Sequence, residues 1–242
     1  MPRVVILGCG TEVGKTRTSV ALLRELGRRN LPTMGLKPIE SGLAPSTGHE
    51  PPPSSDAYAL ALASSLRPTQ TYPRYGFSAP VSPHLAARQS GSEIVLQQAV
   101  AWVGQAEVDM TPLVGSNRAL WSVVETAGGV FSPLSTEAAN FDLALALDPA
   151  IWVLVAADAL GVLHEVSATL QAMRARGRSP DHLVLSSARP PDASTGINAA
   201  ELATLGIATP SAVLARDDDR GISALVDRLV APPGEGATQG TR

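Results

Sequence analysis

The chain has little lysine, little cysteine and no long apolar run. Of its 242 residues, 19 are lysine or arginine, and only Lys15 and Lys37 among them are lysine. The single cysteine, Cys9, excludes an internal disulfide and fits a cytoplasmic protein, because disulfides are rare in that compartment. No apolar run approaches the roughly 20 residues of a transmembrane helix, and the N-terminal residues do not resemble a signal peptide. We therefore expect a cytoplasmic protein that does not contact the membrane.

Charged side chains are also scarce, and they form no basic tract. They amount to 17% of the chain with a formal net charge of −3, so we do not expect general binding to nucleic acid. A phosphate-bearing ligand would have to be held by local geometry rather than by a positive field. Apolar residues make up 44% of the sequence, which is enough to bury a large core.

The scarcity of lysine gives the two lysines particular weight. The other 17 basic residues are all arginine, so most basic positions evidently accept arginine. A guanidinium is a broad planar fork, whereas an ammonium is a compact charge on a flexible stem. A lysine that persists in such a sequence is a candidate for a position where arginine does not fit. Lys15 and Lys37 both follow apolar stretches of strand length, and open α/β sheets bind ligands at the carboxyl ends of their strands.

A glycine-rich loop follows the first apolar run and leads into an amphipathic stretch. It reads Gly8-Cys9-Gly10-Thr11-Glu12-Val13-Gly14-Lys15-Thr16. In such a loop backbone N–H groups surround phosphates, the lysine reaches the terminal phosphates and the threonine binds Mg²⁺. Five residues separate Gly8 from Gly14, one more than is usual for phosphate loops. The residues expected to bind the nucleotide are Gly10, Thr11, Glu12, Val13, Gly14, Lys15, Thr16 and Thr18.

Apolar runs of strand length alternate with helical patterns along the chain. Strands are expected at 4–7, 33–36, 121–124, 151–156, 183–185 and 211–214, and helices at 16–29, 56–64, 81–90, 92–106, 136–147, 162–176, 197–204 and 221–230. This alternation predicts an α/β fold, in one domain over 1–230, with a mostly parallel sheet between two layers of helices. The Pro- and Gly-rich segments 42–55 and 231–242 are expected to be a mobile loop and a disordered tail.

Two acids are placed to bind a nucleotide-associated Mg²⁺ together with Thr16. Glu125 ends the apolar run 121–124 and precedes a glycine turn, and Asp56 begins a predicted helix. Carboxylate and hydroxyl oxygens are hard ligands of the type that Mg²⁺ prefers. An acid in the position of Asp56 is by itself more often a plain helix cap, and Glu125 could equally be a solvated strand end. The pattern alone leaves both alternatives open.

Further polar positions are candidates for binding a substrate. Ser41 follows Lys37 closely and could donate a hydrogen bond to an anionic group. Ser82 opens a predicted helix with His84, although a histidine at a helix start is more often structural than catalytic. Gly161–His164 form a strand-to-helix turn whose free N–H groups could hold a carboxylate.

Taken together, five segments resemble the dethiobiotin synthetase family, ATP-dependent ligases of biotin biosynthesis within the P-loop NTPase superfamily. They are Gly8–Thr16, Lys37-Pro38 with Ser41-Gly42, Asp56-Ala57, Pro80 with Ser82-Pro83-His84, and Glu125 with Ala127-Gly128-Gly129 and Pro133-Leu134. The resemblance covers most of the chain, and the extended loop spacing is the family's own form. It implies a three-layer fold.

The resemblance implies a ring-closing ligase reaction. One amine of the diamine diaminopelargonic acid (7,8-diaminononanoate) takes up CO₂ as a carbamate. The carbamate oxygen attacks the γ-phosphate of ATP to give a carbamic–phosphoric anhydride, and the second amine then closes the ureido ring and releases phosphate. No protein nucleophile is needed, so catalysis would consist of positioning and charge stabilisation.

The resemblance also implies roles for individual residues. Lys15 would offset charge on the γ-phosphate, and Lys37 would contact the carbamate and the transferring phosphoryl group. Thr11 would lie between the phosphate and the carbamate, and Ser41 would hold the carbamate. The carboxylate of the diamine would be held across a homodimer interface by Gly161, Val162, Leu163 and His164. The active site would therefore be shared between two subunits.

Several departures from the family's pattern bear on the site. Thr126 replaces the first glycine of the turn after Glu125, and since threonine tolerates positive φ poorly, the local geometry is expected to differ. Ala159 and His164 stand where the family often has Lys and Asn. The stretch Ser186–Pro190 has serines where many relatives have an asparagine that reads adenine. Base choice is therefore open, and other nucleoside triphosphates are candidates beside ATP.

Two other hypotheses remain at this point. A switch ATPase of the kind that positions plasmids or division sites would carry an additional lysine near the start of the loop, where this chain has Cys9 and Gly10. A nucleotide-binding relative without ligase activity would be consistent with the departures at Thr126, Ala159 and Ser186. Phosphate release that depends on the diamine and on bicarbonate would distinguish the ligase from both.

Overall fold

The part of the chain that the structure describes contains eight strands and eight α-helices. The structure is a computed structural model and describes residues 1–45, 50–115, 118–187 and 190–231. The strands are β1 (Arg3–Gly8), β2 (Thr33–Leu36), β3 (Ile39–Ser41), β4 (Tyr75–Phe77), β5 (Trp121–Glu125), β6 (Ile151–Ala157), β7 (His182–Ser186) and β8 (Ala212–Leu214). The helices are α1 (Lys15–Arg28), α2 (Asp56–Ala63), α3 (Pro83–Gln89), α4 (Leu96–Met110), α5 (Asn140–Leu147), α6 (Val162–Ala175), α7 (Asn198–Thr204) and α8 (Ile222–Val230).

Six of the strands form one parallel sheet in the order β2-β5-β1-β6-β7-β8. In the middle of this sheet, Val5 of β1 lies opposite Val124 of β5 and Trp152 of β6. Because every pairing in the sheet is parallel, the carboxyl ends of all six strands lie along one edge. β3 and β4 form a separate parallel pair, with Glu40 opposite Gly76. The predicted α/β fold with a parallel central sheet is confirmed.

Alternate side chains of the sheet are buried against helices on its two faces. Val4 and Ile6 of β1 belong to one cluster, which also contains Leu22 of α1 and residues of α2 and α8. Val5 and Leu7 point the other way, into a cluster with residues of α4, α5 and α6. Each fully buried aliphatic side chain stabilises the fold by about 1.5–3 kcal/mol. Burial on both faces explains why the strands appear in the sequence as continuous apolar runs.

Two helices begin about one turn later than the sequence predicts. α4 starts at Leu96 instead of 92, because the preceding segment still closes the end of α3, where Ser92 N donates to Ala87 O at 2.9 Å. α5 starts at Asn140 instead of 136. The residues before it form a turn in which Leu134 N donates to Ala138 O at 2.8 Å. In both places turn hydrogen bonds take up backbone groups that a longer helix would use.

The short strands β3 and β4 are not predicted by the sequence analysis. Each has only three residues, and neither stands in a long apolar run. A strand of this length forms only when a distant partner is present, and local sequence patterns do not report such partners. β3 matters for the site because it carries Glu40 and Ser41 directly after Lys37.

Part of the two segments predicted to be loose lies outside the described residues. This applies to 46–49 in the loop 42–55, and to the tail 231–242 except Ala231. Across the described ranges, no helix is both long enough and apolar enough to span a membrane.

Candidate active site

The loop between β1 and α1 turns back sharply at the carboxyl edge of the sheet. Glu12 and Gly14 both adopt left-handed backbone conformations, with φ values of 57° and 93°, and Gly14 caps the start of α1. A side chain at Gly8 would have its Cβ only 2.8 Å from Gly10 O, so only glycine fits there. The loop therefore leaves the N-terminus of α1 open, where N–H groups and the helix dipole favour an anion.

Both lysines of the chain lie in this site, and both are almost fully buried. Lys15 is 7% exposed and Lys37 is 5% exposed. Lys15 Nζ donates to Gly10 O at 3.1 Å, inside the loop. Lys37 Nζ donates to Glu125 Oε1 at 2.8 Å and also contacts Asp56 Oδ2. The structure thus brings together the two residues that lysine scarcity singled out.

Glu125 is the buried centre of the cluster, with no exposed surface. Its Oε1 accepts hydrogen bonds from Thr16 Oγ1 and Lys37 Nζ, each at 2.8 Å, and its Oε2 accepts one from Ser19 Oγ at 2.7 Å. A carboxylate at the end of β5 is therefore held rigidly against the start of α1. This arrangement excludes the alternative that Glu125 is a solvated strand end.

The charges around Lys37 determine the protonation of the cluster. Burial lowers the pKa of the Lys37 ammonium, but the surrounding carboxylates, chiefly Glu125 and Asp56, outweigh burial and raise that pKa well above its usual value. Burial also raises the pKa of Asp56, but the Lys37 ammonium outweighs it and holds that pKa below its usual value. For Lys15, burial together with the nearby charge of Lys37 lowers the pKa. Lys37 and Asp56 are therefore an ion pair.

Glu40 is a buried acid in the site that the sequence analysis did not identify. It is 5% exposed, and its carboxylate accepts hydrogen bonds from Asp56 N at 2.7 Å and Ala57 N at 3.0 Å. Burial raises the pKa of Glu40, with Lys37 opposing this effect. The sequence did contain a signal for Glu40, because this acid stands between two predicted site residues, Lys37 and Ser41.

Two adjoining cavities open beside this cluster. The first has a volume of about 520 Å³ and is lined by Thr11, Glu12, Gly14, Lys15, Thr16, Arg17, Lys37, Glu40, Ser41, Asp56, Ala127, Gly128 and Pro190. The second has a volume of about 410 Å³ and is lined by Thr11, Glu12, Ser41, Pro80, Val81, Ser82, Pro83, Ala127, Gly128 and Ser132. The residues common to both are Thr11, Glu12, Ser41, Ala127 and Gly128. These shared residues form the junction between the two cavities.

The turn after β5 accommodates Thr126 without strain. Thr126 is not among the residues with positive φ, and its buried hydroxyl donates to Ile6 O at 3.0 Å. Gly128 takes the positive φ of 80°, and Asn140 Nδ2 braces the turn by donating to Gly129 O at 2.9 Å. Threonine therefore meets no positive φ here, because the left-handed residue lies two positions later.

Several predicted site residues do not line either cavity. Val13 and Thr18 are fully buried, and the Thr18 hydroxyl donates to Gly14 O at 2.9 Å within α1. Burial also raises the pKa of the Cys9 thiol to about 12, which favours a structural role for it. Ser186 and Ser187 are buried as well, and Ala188 and Arg189 lie outside the described residues.

The turn Gly161–His164 lies at the same edge of the sheet but away from both cavities. Gly161 caps the start of α6 with a φ of 97°, and Val162 is buried, with its N–H donating to Ala159 O at 3.2 Å. The N–H groups of Leu163 and His164 have no acceptor among the described residues. Ser82 does line the second cavity, and its hydroxyl lies 3.1 Å from His84 Nδ1.

The oxygens predicted to bind Mg²⁺ converge on one position. Thr16 Oγ1 lies 2.8 Å from Glu125 Oε1, and the carboxylates of Glu125 and Asp56 share one cation, the Lys37 ammonium. Within the described ranges there is no cluster of three or more His, Cys, Asp or Glu side chains suited to a metal ion. Two carboxylates and a hydroxyl nevertheless fit Mg²⁺, which usually keeps waters and phosphate oxygens as its other ligands.

Comparisons with known proteins agree with this geometry. Residues 2–216 match the family described as AAA domain. The chain is 36% identical over 221 residues to the ATP-dependent dethiobiotin synthetase BioD of Anaeromyxobacter sp. (strain K), covering 90% of this chain and 92% of that protein. It is 33% identical over 242 residues to the ATP-dependent dethiobiotin synthetase BioD of Caulobacter sp. (strain K31), covering all of both chains.

A solved structure also resembles the fold. The ParA family ATPase from Chlorobium tepidum TLS has a TM-score of 0.52 with this chain at 10% identity, covering 96% of this chain and 94% of that one. At so low an identity, the likeness concerns the fold alone.

Proposed function

Because the chain belongs to the dethiobiotin synthetase family, we propose that it forms dethiobiotin from diaminopelargonic acid and CO₂ at the expense of ATP. The observation that carries this proposal is the convergence of Lys15, Lys37 and Asp56 on a cavity that adjoins a second one, with the buried Glu125 paired to Lys37 behind the cavity wall. ATP would occupy the first cavity and the diamine the second. The identity to the curated relatives runs over nearly the whole chain, which supports the complete reaction rather than nucleotide binding alone.

The phosphate loop would hold the triphosphate of ATP. The N-terminus of α1 offers free N–H groups to phosphate oxygens, and Lys15 already points into the loop, toward Gly10 O. On binding, the ammonium would exchange that carbonyl for a γ-phosphate oxygen. Its compact charge would stabilise negative charge as the phosphoryl group leaves, without steric conflict with the loop.

The transfer itself would take place at the junction between the cavities. A carbamate must come within contact of the γ-phosphate, and Thr11 and Ser41 line both cavities. Their hydroxyls would hold the carbamate in line with the phosphorus. Lys37, at the wall of the first cavity, would offset charge on both reacting groups. Ser82 would contact the diamine in the second cavity.

Mg²⁺ would be held by Thr16, Asp56 and Glu125. When bound, it would neutralise part of the charge of the triphosphate. The hydroxyl and the two carboxylates provide hard oxygen donors, and the two carboxylates already share a cation in this structure, the Lys37 ammonium. Lys37 would then move toward the phosphates.

Phosphate release tests the proposed function directly. The purified protein is incubated with ATP and Mg²⁺, and the diamine and bicarbonate are omitted one at a time. The proposal requires phosphate release only when both are present, with dethiobiotin identified by mass spectrometry. Release that ignores the diamine would indicate a switch ATPase, and no release with any combination would indicate a relative without ligase activity.

The nucleotide preference is expected to be weak. Ser186 has no exposed surface and Ser187 only 6%, so neither hydroxyl is presented to a base, whereas an asparagine amide could read adenine. A bidentate amide contact contributes about 1–3 kcal/mol of base discrimination, by analogy with adenine readout in DNA. We expect kcat/KM for CTP or GTP to lie within about tenfold of that for ATP, which corresponds to a difference in free energy of about 1.4 kcal/mol. Steady-state kinetics at saturating diamine measure kcat/KM for each nucleotide. An ATP preference above about a hundredfold would contradict the expectation. Backbone groups near Pro190 or Ala212–Leu214 would then recognise the adenine base.

We further propose a homodimer in which Gly161–His164 holds the diamine carboxylate of the partner subunit. Leu160 is 80% exposed directly beside this turn, and the N–H groups of Leu163 and His164 have no acceptor in the described part of the chain. An exposed leucine beside free N–H groups suits a contact surface with an anion site.

The dimer leads to a measurable expectation. Light scattering should give twice the chain mass, and Leu160→Glu should shift the protein toward monomer and raise the KM for the diamine. His164→Ala should raise that KM more than it changes nucleotide affinity. Val108→Glu, on the 64% exposed Val108 of α4, serves as the control and should change neither quantity. A fully active monomer would contradict the shared site.

A further inference from the structure

We propose that Glu40 is a positioning residue that fixes the start of α2 and thereby holds Asp56 in place for Mg²⁺. This inference rests on the proposed function, because it takes Asp56 to be a ligand of the nucleotide-bound metal. Glu40 also lines the first cavity, but its carboxylate oxygens accept hydrogen bonds from the backbone N–H groups of Asp56 and Ala57. It would act on the metal through the backbone of Asp56.

Glu40 forms a two-pronged contact with the first turn of α2. Oε1 accepts from Asp56 N at 2.7 Å, and Oε2 accepts from Ala57 N at 3.0 Å. The next N–H, of Tyr58, donates to Ser55 Oγ at 3.1 Å, which is the ordinary cap of the helix. The first turn is thus held from two sides: by a serine that precedes the helix and by a carboxylate from a separate strand.

The carboxylate of Glu40 is itself fixed in position. Glu40 lies in β3, pairs with Gly76 of β4 and is 5% exposed. It is also only three residues from Lys37, whose ammonium contacts Asp56. The contact between Glu40 and α2 therefore determines the distance from the start of α2 to the lysine and to Glu125.

Asp56 needs such support because its side chain is less enclosed than that of Glu125. Its side chain is 41% exposed, whereas that of Glu125 is fully buried with three hydrogen-bond donors around it. Residues that orient a metal-binding carboxylate commonly affect metal affinity about 10–100-fold when they are removed. Of the two acids proposed to bind Mg²⁺, Asp56 thus depends more on its backbone anchor.

Nucleotide binding in the presence and absence of Mg²⁺ tests this inference. The affinity of a fluorescent ATP analogue is measured once with excess MgCl₂ and once with EDTA, and the ratio gives the affinity gained through Mg²⁺. Glu40→Gln keeps the shape of the side chain but replaces one acceptor by an amide N–H₂. It should reduce the gain, taken as the ratio of the two affinities of the same variant, about tenfold.

Ser55→Ala is the matched control, because it removes the other hydrogen-bond acceptor that caps the start of α2. Ser55 does not line either of the two cavities. The control should lower the melting temperature without changing the gain from Mg²⁺. An unchanged gain in Glu40→Gln, or an equal loss in Ser55→Ala, would overturn the inference, since Glu40 would then only stabilise α2. Glu40→Asp, whose carboxylate is one methylene short of α2, repeats the test if the glutamine variant does not fold.

The pairing with Asp56 provides a second criterion. In an Asp56→Asn background, Glu40→Gln should cause no further loss of the gain from Mg²⁺, because Glu40 acts through Asp56. Additive losses would contradict this route. Failure of the proposed function is a different result: the wild-type protein would then release no phosphate in response to diamine and bicarbonate, whatever the binding ratio shows.

Discussion

Lys15→Arg is expected to lower kcat/KM about a thousandfold while leaving the fold intact. The Lys15 side chain is 7% exposed and runs along the inside of the loop to Gly10 O. Gly8 is so close to Gly10 O that not even a Cβ fits there. A guanidinium needs more width than this loop offers, so it would displace the phosphates or the loop instead of reaching the γ-phosphate. Steady-state kinetics give the loss, and circular dichroism checks the fold.

Arg24→Lys is the matched control for this exchange. Arg24 is exposed and lies on the same helix, α1. Its substitution by lysine is the reverse of Lys15→Arg and is made at a position that does not contact the site. The control should keep wild-type kinetics. Turnover near that of the wild type in Lys15→Arg would show that the charge alone matters at this position. The scarcity of lysine would then not reflect a steric requirement at position 15.

Lys37→Met is expected to reduce both activity and stability. Methionine has a similar length but no charge, so the reacting groups lose a cation, and a loss of about 10²–10³ in kcat is expected. Glu125, which is fully buried, loses the positive charge of its ion-pair partner at the same time. Breaking a buried ion pair costs about 3 kcal/mol or more in the free energy of unfolding. For a chain of this size that corresponds to a fall in melting temperature of about 6–12 °C.

Arg3→Met separates the two effects of Lys37→Met. Arg3 Nε donates to Glu107 Oε1 at 2.8 Å, and Glu107 is buried, but this pair lies at the amino end of β1, opposite the site. The control should lower the melting temperature and leave kcat unchanged. If Lys37→Met loses no more activity than Arg3→Met at a temperature where both are folded, Lys37 has no catalytic role.

Much of this site could be predicted because its residues follow strands whose apolar runs are unmistakable. Lys15 follows β1 and Glu125 ends β5, so both lie at the carboxyl edge of the parallel sheet, in which β1 and β5 are neighbours. The rare use of lysine then marked Lys37, which the structure places 2.8 Å from Glu125 Oε1. Composition and strand position were sufficient here.

Other features depend on contacts that the local sequence does not contain. β3 and β4 are short and find each other across a long stretch of chain, so neither has a pattern of its own. The role of Glu40 follows from that pairing and from the position of α2, and it was missed for this reason. The backbone of Thr126 is a further example, because the sequence does not show that the positive φ of this turn falls on Gly128.

The fate of labelled bicarbonate tests the central claim most directly, namely that the lysine–carboxylate cluster activates a carbamate for ring closure. The protein is incubated with ¹³C-bicarbonate, the diamine, ATP and Mg²⁺, and the product is analysed by mass spectrometry. We expect one ¹³C in the ureido carbonyl of dethiobiotin and one phosphate released per label incorporated, with the rates of both reduced about a thousandfold in Lys15→Arg. Phosphate released without label in a ureido ring, or labelled product formed equally well by Lys15→Arg, would contradict the claim.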